Sequence, residues 1–314
     1  MVFLLLSLDL SAQQSGKIAV PFLLISPDTR SSGIGDASVA TPADIYSITG
    51  NPAKYAFMED NAGIGVTFTP LQRRLIKDHN LFFISGVYRT GERESIAAGF
   101  RYHAMGQVQF ADVLGNNSGV YNSKEFSLDL AYIRKLFDFF SVSSTVKYIN
   151  ADLKAIDLER SGAGVASTVA ADLGLFYTAP GRQKLSIGAH LKNIGPSMLY
   201  GAEKLPLPAF VNVGAAYSII DQADNTLIYT AEAGKSLSVK DGGGMGFSTG
   251  VEYALGKRLS VRGGFHHEQS QSYLTCGLGI LIKRMSVGYS FQFDTSQYTG
   301  LGNTSRFGLS YSLD

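Results

Sequence analysis

Met285-Ser286-Val287-Gly288-Tyr289-Ser290-Phe291-Gln292-Phe293-Asp294 sets Met285, Val287, Tyr289, Phe291 and Phe293 on one side and Ser286, Gly288, Ser290, Gln292 and Asp294 on the other. Successive side chains of a β-strand point to opposite faces, so this period-two pattern predicts a strand with a large apolar face and a small polar one. The run is about ten residues long, the length of a tilted strand crossing a bilayer, whereas globular strands average about five or six. A strand with lipid outside and a polar or tightly packed interior has this profile.

The same pattern recurs along the chain. Phe126, Leu128, Leu130 and Tyr132 alternate with Ser127, Asp129 and Ala131; Leu185, Ile187, Ala189 and Leu191 with Ser186, Gly188, His190 and Lys192; Phe307, Leu309, Tyr311 and Leu313 with Arg306, Gly308, Ser310 and Ser312. About fourteen such runs can be counted, starting near Gly65, His79, Glu94, Glu125, Phe139, Ser167, Lys184, Pro208, Asn225, Met245, Lys257, Ser272, Arg284 and Thr304. The connections alternate too. Thr90–Arg93, Pro180–Gln183, Gly256 and Lys283-Arg284 are tight, whereas Gly106–Lys124, Ala151–Ala166, Gly195–Leu207 and Thr295–Asn303 are long. An even strand number with short turns at one end and long loops at the other predicts an all-β, 14-stranded antiparallel transmembrane β-barrel in the outer membrane, its loops outside.

Composition excludes the competing classes. The chain has 35 Gly, 16 Tyr, 19 Phe, 1 Cys and no Trp among 314 residues, with 17% charged residues and a formal charge of +1. A near-zero charge argues against nucleic acid as a partner, because phosphate neutralisation needs a basic face. One Cys excludes an internal disulfide and any Cys-rich metal site. Mean hydropathy of +0.07 is too high for disorder, and no apolar run after the N-terminus is long enough for a membrane helix.

Strand parity sorts the polar residues. Arg101, His103, Asp129, Lys147, Asp172, His190, Lys192, Glu232, Glu252 and Arg262 fall on the small-residue side and are expected to face the lumen, since Arg or Lys toward lipid costs ~2–4 kcal/mol at the midplane. They predict either an ion-paired, water-lined interior or a binding or conduction path. Cys276 shares a row with Leu274, Leu278 and Ile280 and is expected to face lipid. Within Gly106–Lys124, Phe110, Leu114 and Tyr121 are apolar in a segment expected to meet water, which suggests a protein-binding patch or a cap folded onto the barrel.

The first 64 residues break the pattern. Val2–Leu8 is a short apolar run followed by Ser11-Ala12-Gln13-Gln14, so residues 1–12 are expected to be the remnant of a signal peptide cleaved after Ala12, although no Lys or Arg precedes the run and Asp9 interrupts it. A buried N-terminal strand is the alternative. Residues 13–64 hold Pro21, Pro27, Pro42 and Pro52, and proline cannot donate to a ladder, so they predict a hatch folded into the lumen of a barrel spanning 65–314. Arg30 and Asp36, in a weakly charged stretch, are the candidates to anchor it to lumen charges such as Asp129 or Lys147.

Phe22-Leu23-Leu24-Ile25-Ser26-Pro27-Asp28-Thr29-Arg30-Ser31-Ser32-Gly33-Ile34-Gly35-Asp36, then Val39-Ala40-Thr41 and Asn51-Pro52-Ala53-Lys54-Tyr55-Ala56-Phe57, resembles the hatch of the PorV/PorQ family of FadL-like outer-membrane proteins; Glu125–Leu136 is also similar. The resemblance implies a FadL-like barrel of the type IX secretion system that is not an enzyme and takes no cofactor. It implies a hatch motif of Pro27, Asp28, Arg30, Ser31, Gly33, Gly35, Asp36, Asn51, Pro52 and Ala53. It also implies partners: the SprA/Sov translocon, the C-terminal domains of secreted cargo, the PorU sortase with its attachment complex, and outer-membrane lipid. FadL relatives instead admit hydrophobic small molecules, which is the alternative function. The C-terminal Gly308, Tyr311 and Leu313 look like the signal read by the barrel-assembly machinery.

Motifs of catalysis are missing from the sequence. Gly242-Gly243-Gly244 precedes no Lys-Ser/Thr and follows no βα unit. His266-His267-Glu268 has no third ligand at metal spacing and is read as a polar rim.

Overall fold

The computed structural model describes residues 18–72, 78–111, 117–152, 164–180, 185–200, 203–222, 224–238, 244–268, 271–295 and 302–313. The strands are β1 (Ala62–Pro70), β2 (His79–Gly91), β3 (Glu94–Ala111), β4 (Asn117–Phe137), β5 (Phe140–Asp152), β6 (Val165–Thr178) and β7 (Leu185–Ile194), then the short β8 (Met198–Tyr200) and β9 (Glu203–Leu205). After these come β10 (Phe210–Asp221), β11 (Asn225–Ser236), β12 (Met245–Leu255), β13 (Leu259–Glu268), β14 (Gln271–Ile282), β15 (Met285–Asp294) and β16 (Thr304–Leu313). Fourteen of them close an antiparallel barrel, each strand beside its sequence neighbour and β1 against β16, while β8 and β9 form a separate hairpin. The seam runs from Ala62 opposite Leu313 to Phe68 opposite Phe307. Closure pairs both edges of every strand, which the bilayer requires because its core offers no water to an open edge.

Alternation holds around the wall. Leu130 and Val146 are 67% and 61% exposed, whereas Asp129 and Lys147 on the opposite face are buried. Outward aromatics meet in two bands. Phe68–Phe82 and Phe126–Tyr148 lie toward the long-loop end, and Phe137–Phe139 and Phe139–Tyr177 at the short-turn end, as interfacial girdles require.

Three expectations need correction. Gly106–Lys124 is not an irregular loop: β3 and β4 run 18 and 21 residues and stay paired from Gln107 opposite Asn122 to Ala111 opposite Asn117. Gly106, at φ +78°, carries a register shift that lets the ladder resume instead of ending. Gly195–Leu207, also expected to be a loop, contains the β8–β9 hairpin. The barrel begins at Ala62, so residues 62–64 belong to β1 and not to the segment before it. Leu114, residues 1–12 and most of Ala151–Ala166 lie outside the described residues.

Residues 18–61 fill the lumen. The segment starts at the long-loop end, where Ala19 N–H donates to the Pro206 carbonyl at 2.9 Å, and leaves at the short-turn end, where Asn61 N–H donates to Leu313 O. Between lie two short helices, α1 (Thr29–Gly33) and α2 (Ser47–Gly50), and 3-10 turns over Pro21–Leu24 and Pro52–Phe57. Val20, Phe22 and Leu23 pack with Leu71, Leu81, Ile149, Met198 and Leu207 at the upper end; Ile45, Tyr46, Ile48 and Tyr55 pack with Phe83 and Ile133 lower down.

Candidate functional site

The N-terminal plug is held by the residues that its own sequence supplies. Asp28 caps α1, its carboxylate accepting from Ser31 N–H at 2.7 Å, and Pro27 precedes the cap. Ser32 Oγ lies 2.6 Å from Ser290 Oγ on β15. Gly33 sits against Gly277, where a Cβ would be pressed to 3.2 Å from its Cα. Gly35, at φ +71°, donates its N–H to Thr275 Oγ1 at 2.9 Å and lies on the Phe265 backbone, an approach open only to a residue without a side chain. Asn51 starts the second 3-10 turn by accepting from Ala53 N–H, and its amide nitrogen donates to the Val39 and Leu175 carbonyls, tying plug to wall. Pro52 takes the first position of that turn, and the Ala53 carbonyl accepts from Ser141 Oγ at 2.6 Å.

The anchoring charges differ from those expected. Arg30 donates to both oxygens of Glu252, from Nε at 2.9 Å and Nη2 at 2.8 Å, and from Nη1 to the Pro42 carbonyl at 3.0 Å and Asp44 at 3.3 Å. Glu252 also takes Arg262 Nε at 2.5 Å. Burial opposes the charge on Arg30, but Glu252 and Asp44 outweigh it and hold its pKa above the ordinary value. Asp36 Oδ2 accepts from Tyr273 Oη at 2.5 Å. Asp129 and Lys147 are opposite each other on β4 and β5, away from α1, which packs on β13 to β16. There Lys147 pairs with Asp172 at 2.7 Å and donates to Asn193 at 2.9 Å.

All ten predicted lumen residues face inward, buried or half-buried. Most hold the plug or one another. Arg101 donates to the Phe22 and Leu23 carbonyls at 3.2 and 2.9 Å, His190 Nδ1 lies 2.5 Å from Gly50 O, and Glu232 accepts from Val39 N–H at 2.9 Å. His103 lies between Glu125 at 3.0 Å and His79 at 2.8 Å. Sequence reasoning missed Arg306, which donates from Nε to Ser26 O at 2.9 Å, although its place on the Gly308/Ser310 side of β16 was the signal. Tyr273, Thr275 and Asn193 were also missed. His266 and His267 point to opposite faces, bonding Ser248 and Ser272, and cannot converge on a metal. Cys276 is exposed on the outer face.

Above the plug, at the long-loop end, lies a cavity of about 440 Å³. The apolar stretch Pro21–Ile25 lines it, together with Arg101, Lys192, Glu232, Tyr273 and Arg306. Tyr311 and Leu313 sit on the outer face of β16 opposite Ile64 and Ala62, and Gly308 faces inward against Thr29.

A sequence-family profile described as type IX secretion system protein PorV matches residues 10–240. No curated protein sequence matches the chain. Among solved structures, the chain is similar to the Ralstonia pickettii toluene transporter TbuX, with a TM-score of 0.64 at 14% identity over 91% of this chain and 98% of that one. It is also similar to a Pseudomonas aeruginosa FadL homologue, with a TM-score of 0.60 at 11% identity over 92% and 99%. The Pseudomonas putida toluene transporter TodX gives a TM-score of 0.60 at 14% identity over 90% and 97%. At these identities the likeness is one of fold: the closed 14-stranded barrel of the FadL type.

Proposed function

The chain belongs to the PorV family of type IX secretion system proteins, and from that premise we propose that it binds the C-terminal domains of secreted cargo at the SprA/Sov translocon and passes them to the PorU sortase and attachment complex. As an outer-membrane component of that system it works by recognition, not catalysis. The observation that carries this reading is the β3–β4 hairpin together with the filled lumen. Strands of 18 and 21 residues exceed the roughly ten that span a bilayer, so the paired tip reaches well past the wall. The plug meanwhile engages wall strands around the whole circumference, leaving protein contacts at the outer end as the available chemistry.

Phe110 and Tyr121 lie on the two arms of that tip, and Leu114 is outside the described residues. Replacing all three with Ser should leave a heat-modifiable barrel but reduce co-purification with cargo C-terminal domains and strand cargo in the periplasm. Normal surface delivery by the triple variant would exclude this hairpin and move the test to Ala151–Ala166.

A FadL-type channel for hydrophobic small molecules is the second reading, favoured by the apolar stretch Pro21–Ile25 that lines the cavity. Against it stand the wall charges bonded into the plug, which give a hydrocarbon no apolar route through the lumen.

A further inference from the structure

On β2 to β5, the cations at the short-turn end of the barrel are partnered. Arg93 and Lys135 pair with Asp138 at 3.8 and 3.9 Å, Arg134 pairs with Glu94 at 3.2 Å, and Arg89 donates to the Met58 carbonyl and to Asn61. Across the circle the pattern differs. The β12–β13 turn carries Lys257 and Arg258, and the β14–β15 turn carries Lys283. All three are exposed, and none makes a side-chain hydrogen bond or ion pair among the described residues. Asp224, beside Lys257, accepts its N–H through the backbone carbonyl at 3.1 Å.

Two observations make one site of these cations. The turns are neighbours, because Leu281 N–H donates to the Arg258 carbonyl at 2.7 Å. Arg258 and Lys283 are therefore diagonal across adjacent strands, a spacing of ~7–8 Å that lets two long side chains meet one phosphate. Lys257 and Lys283 also hold φ of +52° and +58°. A left-handed turn position favours Gly or Asn, so the turns alone do not select lysine at both.

Lipid lies within a residue or two of these charges. Leu255, Leu259, Ile280, Ile282 and Met285 are the last outward side chains before the two turns, 38–53% exposed and without an aromatic among them. Farther along β13, Gly263 takes an outward position opposite Cys276, and a Cβ there would meet no atom closer than 4.0 Å. The wall is recessed at that point, which leaves room for an acyl chain. Short turns of such barrels stand in the periplasm, so the adjoining leaflet is the periplasmic one, built of glycerophospholipids.

We propose that Lys257, Arg258 and Lys283 bind the phosphate headgroup of one anionic glycerophospholipid of the periplasmic leaflet, with an acyl chain along Leu259 and Ile280 toward the recess at Gly263. The site is separate from the cargo-binding reading and does not depend on it.

The test titrates the delipidated, detergent-solubilised full chain with phosphatidylglycerol or phosphatidylcholine of identical acyl chains, read by native mass spectrometry. Each cation near an anionic headgroup raises affinity by a factor of roughly five, so phosphatidylglycerol should bind at least about tenfold more tightly. Lys257→Asn with Arg258→Gln and Lys283→Asn should abolish that preference while the heat-modifiable barrel persists, since Asn accepts a left-handed φ. Arg93→Gln with Arg134→Gln, which removes two cations that already have partners, should leave the preference intact. Excess inorganic phosphate should not displace the lipid. Equal binding of the two lipids, a preference that survives in the triple variant, or one lost equally in the Arg93 and Arg134 variant would overturn the proposal. Displacement by inorganic phosphate would also overturn it, by showing a site for free phosphate and not for lipid.

Discussion

Arg30→Ala should free the plug without opening the barrel. Arg30 is 16% exposed and Glu252 10%, and the pair is bidentate at 2.8 and 2.9 Å. Removing one partner of a buried pair costs ~3–5 kcal/mol. Glu252 keeps Arg262 at 2.5 Å, so its charge is not abandoned and the lower figure, ~3 kcal/mol, applies. At ~1.4 kcal/mol per factor of ten, transient release of the α1 region should become roughly a hundredfold more frequent. None of this touches the strand ladders, so heat-modifiability on gels should not change. Hydrogen exchange at the amides of residues 28–36 and single-channel recordings in planar bilayers read the effect. Arg134→Ala is the control, because Arg134 and Glu94 pair at 3.2 Å with 57% and 41% exposure, where an ion pair is worth under ~1 kcal/mol. Arg30→Ala with wild-type exchange and no new conductance would refute the assignment of Arg30–Glu252 as the anchor.

Gly264→Val should expel the plug from its seat, since even a Cβ there would fall within 2.7 Å of Ile34 Cα; conductance should rise while the folded barrel band persists, and an unchanged trace would count against the packing. Burial, with Asp44 nearby, pushes the Asp28 carboxyl up to about 6 from an ordinary 3.8, so the folded plug holds this proton more tightly than the released one. Plug protection should therefore be greatest below about pH 4 and fall as pH rises to about 6, and Asp28→Asn, which keeps an acceptor for Ser31 N–H, should flatten that slope in exchange measurements. Deleting Tyr311 to Asp314 removes the pairs of Tyr311 with Ile64 and Leu313 with Ala62 at the seam, so heat-modifiable barrel should be lost; normal amounts in the outer membrane would disprove the need for that closure.

The alternation that begins at Met285 was enough to read the strand count, the antiparallel order and the inward or outward sense of each residue, because strand parity is set by neighbouring residues alone. The prolines of residues 13–64 were likewise enough to set that segment apart from the wall. Two features escaped for local reasons. Gly106 looks like the end of a strand, yet its positive φ absorbs one register shift and the pairing goes on to Ala111. Arg306 is missing from the ten expected lumen residues, although its alternation with Phe307 and Leu309 already places it on the inner side.

What sequence could not decide is which inward residue meets which part of the plug. The sequence offers Asp129 or Lys147 to Arg30, which pairs instead with Glu252, 222 positions away. Parity says that a side chain enters the lumen; it does not say from which side of the circle. That depends on closure of fourteen strands and on where α1 comes to rest against β13 to β16, which is fixed by backbone contacts such as Gly33 on Gly277 and Gly35 on Phe265. Period-two pattern is a property of adjacent residues and can be read along the chain, whereas azimuth around a barrel exists only once the first strand has found the last.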